Sequence, residues 1–110
     1  MALANVNNGT QSATLDTEHT LGAAVTTGKT CVLVVDCTNM ANGDVVVLRA
    51  KVKTLTGSTE ALAYAVTYAH VQAEPVKISI PVPALYSVKF TLEQTDGTGR
   101  SFDWSIVSLD

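Results

Sequence analysis

The sequence predicts an all-β protein: an antiparallel two-sheet sandwich of seven or eight short strands, jelly-roll-like or, alternatively, immunoglobulin-like. Three observations carry this. Short runs of alternating or β-branched residues recur at near-regular spacing, with turn residues between them and no clear helix. The stretch from Tyr86 to Leu109 alternates on both sides of a glycine turn: Val88, Phe90 and Leu92 against Lys89, Thr91 and Glu93, then Phe102, Trp104 and Ile106 against Ser101, Asp103 and Ser105. Finally, the chain has 110 residues, 46% hydrophobic and 15% charged, which is enough apolar material for one core and too little charge for disorder.

Taken in order, residues 1–12 are rich in Asn, Gly and Ala and have no clear period. They read as a flexible N-terminal arm ahead of a single sandwich domain over 13–110. Ala13, Leu15, Thr17 and His19 alternate with Thr14, Asp16, Glu18 and Thr20, a modest strand with a polar outer face. Leu21 to Val25 is a short apolar patch closed by a turn at Thr26-Thr27-Gly28. Thr30 to Thr38 is β-branched and almost wholly apolar, the composition of a central strand covered on both sides. Asn42-Gly43-Asp44 marks a turn, after which Val46, Leu48, Ala50 and Val52 face one way and Arg49, Lys51 and Lys53 the other.

Ala61 to Ala73 sets helix propensity against pattern. Its alanines favour a helix, but large residues (Leu62, Tyr64, Val66, Tyr68, His70) alternate with small ones, and only a pleated strand uses a period of two. Strand is the reading. Pro75 ends it, and Val76 to Val82 alternates again up to Pro81 and Pro83, which places that strand at an edge or stops it there. In the last stretch Asp96-Gly97-Thr98-Gly99-Arg100 reads as the turn of a hairpin that puts Phe90, Phe102 and Trp104 on one core face.

Composition narrows the function. The net charge is −3 with no run of Lys or Arg, which argues against nucleic acid or an anionic membrane as partner. No apolar stretch is long enough to cross a bilayer, and Met1-Ala2-Leu3-Ala4-Asn5 does not read as a signal peptide. The weakly charged surface of Thr, Ser, Asn and Ala suits a chain held by neighbours. Cys31 and Cys37 would lie roughly 20 Å apart along one strand, too far to bridge, so they read as two buried thiols.

Chemical motifs are absent. His19 and His70 stand alone, and only Asp16 and Glu18 of the group around His19 share a strand face, so no metal site and no cofactor are expected. Asp36, inside Val34-Val35-Asp36-Cys37, is the anomalous charge: a functional acid, or a carboxylate that faces outward or pairs with Arg49 or Lys51. Gly97-Thr98-Gly99-Arg100 joins strands and opens no helix, so a hairpin tip with an exposed Arg100 is preferred to a phosphate loop. No catalytic constellation is present, and the protein is expected not to be an enzyme. The alanines Ala61, Ala63, Ala65 and Ala69 form a smooth stripe that either packs internally or makes a subunit contact.

The Ala/Asn-rich start, the small all-β body, Pro81-Val82-Pro83 before the final strands and the ending Gly-Thr-Gly-Arg-Ser-Phe-Asp-Trp-Ser-Ile over 97–106 resemble head decoration (cement) proteins of tailed bacteriophages. The resemblance implies a non-enzymatic virion protein, made in the host bacterial cytoplasm. It would bind the capsid exterior at contacts between major capsid protein subunits, often as a dimer or trimer. Strand addition and multivalency would supply the contact, with Ala2, Leu3, Asn5, Val6, Asn7, Asn8, Thr10 and Gln11 of the arm and, more weakly, Arg100 at the surface. Removal of residues 2–11 is then expected to leave the fold intact. Two other readings remain: a phage tail or fibre component, and a small carbohydrate- or ligand-binding sandwich using Tyr64, Tyr68 and Tyr86 as stacking surfaces.

Overall fold

In the computed structural model, residues 3–26 and 28–109 are described. Met1, Ala2, Thr27 and Asp110 lie outside them. Nine strands are present among the described residues: β1 (Leu3–Ser12), β2 (Glu18–Thr20), β3 (Lys29–Asp36), β4 (Val45–Val52), β5 (Ala61–Ala69), β6 (Val76–Ile78), β7 (Val82–Ala84), β8 (Val88–Asp96) and β9 (Ser101–Leu109). They form two antiparallel sheets. Sheet A runs β1-β9-β3-β6, with β7 also paired to β3, and sheet B runs β2-β8-β4-β5.

The pairing is nested. β1 pairs with β9, β2 with β8, β3 with β6 and β7, and β4 with β5, so the chain is one long antiparallel ribbon folded back at β4–β5. Rolling that ribbon brings β9 against β3 and β8 against β4. This is the jelly-roll order, and the immunoglobulin-like grouping of strands is not the one found.

The predicted hairpin over Tyr86–Leu109 is not a hairpin. β8 belongs to sheet B and β9 to sheet A, so the Asp96–Arg100 link is a corner between facing sheets. Phe90, Phe102 and Trp104 do meet in the core, at 1%, 0% and 9% exposure, but from opposite sides of it. Alternation reports which side chains face inward. It does not report which sheet they come from.

Three other expectations change. The flexible arm gives way to strand β1, paired residue by residue with β9 and interrupted by a bulge between Asn5 and Asn7. Its inward side chains pack on the core: Val6 touches the core cluster, and Gly9 lies so close to the Trp104 ring that a Cβ there would sit 3.3 Å from it. The run Val76 to Val82 is broken into β6 and β7, which lie at the edge of sheet A where the prolines allow. The strand over Thr30 to Thr38 is central but covered on one side only. Cys31, Leu33 and Val35 are buried at 0–2% exposure, while Val32 and Val34 face out and are partly buried.

β5 is a strand at the free edge of sheet B. A register shift opposite Ala50 and Lys51 makes Ala63 an extra residue, so Leu62 pairs with Lys51 and turns to the outer face, 57% exposed. Beyond the bulge the alternation is regular, with Tyr64, Val66 and Tyr68 inward and Ala65, Thr67 and Ala69 outward.

Because β1 is a full member of sheet A, deletion of residues 2–11 is expected to cost on the order of 3 kcal/mol or more in urea unfolding. It should also red-shift the fluorescence of Trp104, the one tryptophan. An unchanged midpoint and emission maximum would show that β1 adds nothing to the fold.

Candidate functional site

The residues that could carry chemistry are engaged in holding the fold. Asp44, at 1% exposure, is the buried carboxylate, in place of the sequence candidate Asp36. It accepts from the Ala41 amide at 2.9 Å, the Thr98 amide at 3.1 Å and the Arg100 Nε at 2.8 Å. Burial pushes its carboxyl pKa up, but these hydrogen bonds and the Arg100 charge outweigh burial and hold it below the ordinary aspartate range. Gly97, at φ +89°, passes so close that a Cβ there would strike Asp44. Beside it Gln94, fully buried, donates to the carbonyls of Asp96 and Thr98 and accepts from the Arg100 amide. The Gly97–Arg100 stretch therefore cradles an anion, and that anion is the protein's own Asp44. Arg100 is tied to Asp44 and is not a free exposed tip.

Asp36 faces outward and accepts from the Thr38 hydroxyl and amide, which lower its pKa; it pairs with neither Arg49 nor Lys51. Each histidine accepts a backbone N–H: His19 Nε2 from Thr14, and His70 Nδ1 from Gly43. Cys31 and Cys37 are buried and unbridged, and burial pushes the Cys37 thiol up to about 11, which leaves essentially no thiolate near neutrality. Among the described residues, no three His, Cys, Asp or Glu side chains converge as metal ligands. Tyr64 and Tyr68 turn into the sandwich and pack on the core, with the Lys77 ammonium 4.8 Å from the Tyr68 ring centroid, so they are no stacking platform.

The predicted contact residues divide by register. Ala2 lies outside the described residues. Leu3, Asn5, Asn8 and Thr10 pair with Leu109, Val107, Ser105 and Asp103 and share the outer face of sheet A with them. Asn7 and Gln11 pair with the core residues Ile106 and Phe102 and face inward, and Val6 sits in the bulge against the core. Of the alanines, Ala65 and Ala69 point outward from β5, Ala63 is the bulged residue, and Ala61 opposes Val52; all four are exposed. Internal packing of this stripe against the facing sheet is therefore not what is found.

The two outer faces are unlike each other. On sheet B, Arg49 Nη1 bonds Glu93 at 2.8 Å and lies 3.5 Å from Glu18, Lys51 meets Glu18 at 3.0 Å, and the Thr91 hydroxyl donates to Glu18 at 2.7 Å. The Thr91 hydroxyl, followed by Lys51 and Arg49, holds the Glu18 carboxyl below its usual range despite partial burial. Lys89 and Glu60 add another pair at 3.2 Å. This face is laced with charge.

The outer face of sheet A holds Val32, Val34, Val107 and Leu109 on its two central strands. Leu3, Val76 and Ile78 flank them, exposed at 71%, 53% and 65%. Register places Ile78 beside Val34 and Val76 beside Asp36. A shallow open depression of about 260 Å³ lies there, between Val34, Asp36, Val76, Asp103 and Ser105. Among the described residues, charge on this face lies at one end, at Asp36 and Asp103. Period-two reading of single strands did not show this face, because each partly buried valine looks like core until its neighbours are known.

No family model, curated protein or solved structure matches the chain.

Replacing Asp44 by Ala leaves the amides of Ala41 and Thr98 and the Arg100 guanidinium without their acceptor, and is expected to cost about 3 kcal/mol in urea unfolding. The pH dependence follows from the lowered pKa. Stabilisation by Asp44 is complete above the unfolded aspartate value of about 3.9 and is lost as pH falls through the lower folded value. Between pH 5 and pH 2, Asp44→Asn should therefore lose less stability than the parent; equal losses would remove Asp44 from the account.

Proposed function

We propose that the protein is a non-enzymatic structural component of a tailed-phage virion, bound to the outside of the capsid through the outer face of sheet A. The observation that carries this reading is β3. Its composition is that of a strand covered on both faces, and the isolated chain covers it once, leaving Val32 and Val34 on an apolar sheet surface. Leu3, Asn5, Asn8 and Thr10, expected from the resemblance to touch the shell, extend that same surface.

The rest of the molecule supports a passive role. The buried carboxylate is saturated by internal donors, and the Cys37 thiol is held protonated. Viral capsid domains are among the proteins built on jelly rolls, a likeness at the level of fold. The partner would be the major capsid protein, and many copies on a lattice would gain avidity from individually modest contacts. A tail or fibre component would use the same surface on another partner. The carbohydrate-binding reading loses two of its three stacking rings with the inward turn of Tyr64 and Tyr68.

The test is capture of the C-terminally tagged protein from a lysate of virus-producing source cells, with bound proteins identified by mass spectrometry. The major capsid protein in intact heads is the expected partner. Val34→Asp should reduce head occupancy at least about tenfold, while Thr20→Lys on the outer face of sheet B should leave it unchanged. Capture of tail proteins, or of no virion protein, would overturn the capsid assignment.

A further inference from the structure

We infer that the protein self-associates through the free edge of β5, which pairs antiparallel with β5 of a second copy about a two-fold axis at Val66. The starting point is a comparison of the sheet edges. β2 has three residues, too few to template another chain. β6 and β7 are separated by a break and carry prolines at 81 and 83. β1 is long, but its regular part beyond the bulge is Asn-Asn-Gly-Thr-Gln-Ser, poor in strand-forming residues. β5 has none of these defences. It runs nine residues without a proline or a charge, and beyond Ala63 it reads Tyr-Ala-Val-Thr-Tyr-Ala, strand-forming on one side and smooth on the other. Its second flank is paired to nothing among the described residues.

A second copy is the occupant because this edge is complementary to itself. Antiparallel pairing about Val66 sets Tyr64 opposite the other copy's Tyr68 twice, Val66 opposite Val66, and Ala65 opposite Thr67 twice. The large side chains then meet on the inner side and the small ones on the outer side. Aromatic and β-branched pairs of this kind stabilise adjoining strands. Nothing charged has to be buried along the strand itself. At the Ala61 end of the strand Glu60 is already held by Lys89 at 3.2 Å and by the Ser87 hydroxyl at 3.0 Å. Beneath this edge Tyr64, Val66 and Tyr68 border a narrow crevice, with the Lys77 ammonium over the Tyr68 ring. The pairing spans residues 63–69, a strip about 23 Å long, which offers roughly several hundred Å² per copy, near the lower end for a stable interface.

The inference does not depend on the virion reading and is tested on the purified protein alone, by sedimentation equilibrium across a concentration series. The parent chain should dimerise. Ala65→Lys/Thr67→Lys, both exposed positions, should remain folded by circular dichroism and associate at least tenfold more weakly, since the pairing sets lysine against lysine. Ala65→Lys/Thr67→Glu sets lysine against glutamate across the two-fold axis and should recover association. A monomeric parent at high concentration, a dimer untouched by the lysine pair, or a dimer lost only in Val34→Asp would each overturn the proposal. The last of these would assign self-association to the outer face of sheet A.

Discussion

The sandwich depends on how the chain passes from sheet B to sheet A between β8 and β9. Strands on the same ladder satisfy each other's amides, but these two face each other across the core, so the turn's N–H groups need other acceptors. Asp44 supplies one for Thr98 and holds Arg100, and Gln94 supplies one for the Arg100 amide. The Asp44 carbonyl also accepts from the His70 amide, which fixes the exit of β5 to the same point. One end of the molecule is thus set by a carboxylate that belongs to β4's entry. An ion pair with one buried partner, Asp44, and one partly exposed, Arg100, is poor evidence for net stability. What it does is geometric: an apolar substitute would leave the Ala41 and Thr98 amides without the acceptor they have here.

How much of this was legible in the sequence follows from what each signal encodes. Alternation over Val46–Val52, Val88–Leu92 and Phe102–Ile106 reports burial on one side, and those strands are present. It carries no record of sheet membership, so the tight Gly-rich link suggested a hairpin where the structure has a corner. Residues 1–12 looked irregular because Asn and Gly are weak strand formers; tertiary pairing with β9 overrides that weakness. Leu62 was placed with the tyrosines by simple parity, and the bulge at Ala63 reverses it. Asp44 could have been singled out only by asking what fills the turn ahead of β4, a question that spacing does not raise.

The two outer faces differ for a reason that stability does not supply. Exposed ion pairs such as Lys51–Glu18 contribute little each. What they do is keep sheet B's outer face hydrated, which discourages face-to-face stacking there. Sheet A has no such lacing over Val32, Val34 and Val107. A sequence that protects one face and leaves the other apolar is specific about which side is to be covered.

Edge pairing and face contact are compatible by symmetry. An antiparallel pair of strands in one sheet is related by a two-fold axis perpendicular to that sheet, so joining β5 to β5 extends sheet B without turning either copy over. Both charged faces then lie on one side of the dimer and both sheet A faces on the other, rotated by the roughly 20–25° twist between neighbouring strands. Such a dimer offers two apolar faces to a surface that itself repeats. Each face needs only modest affinity, because once one is seated the other is held at high local concentration. Stacking two copies through sheet A itself would consume the contact surface. An edge dimer keeps it available, and this is the physical reason for proposing self-association at β5 and the shell contact at β3 and its neighbours.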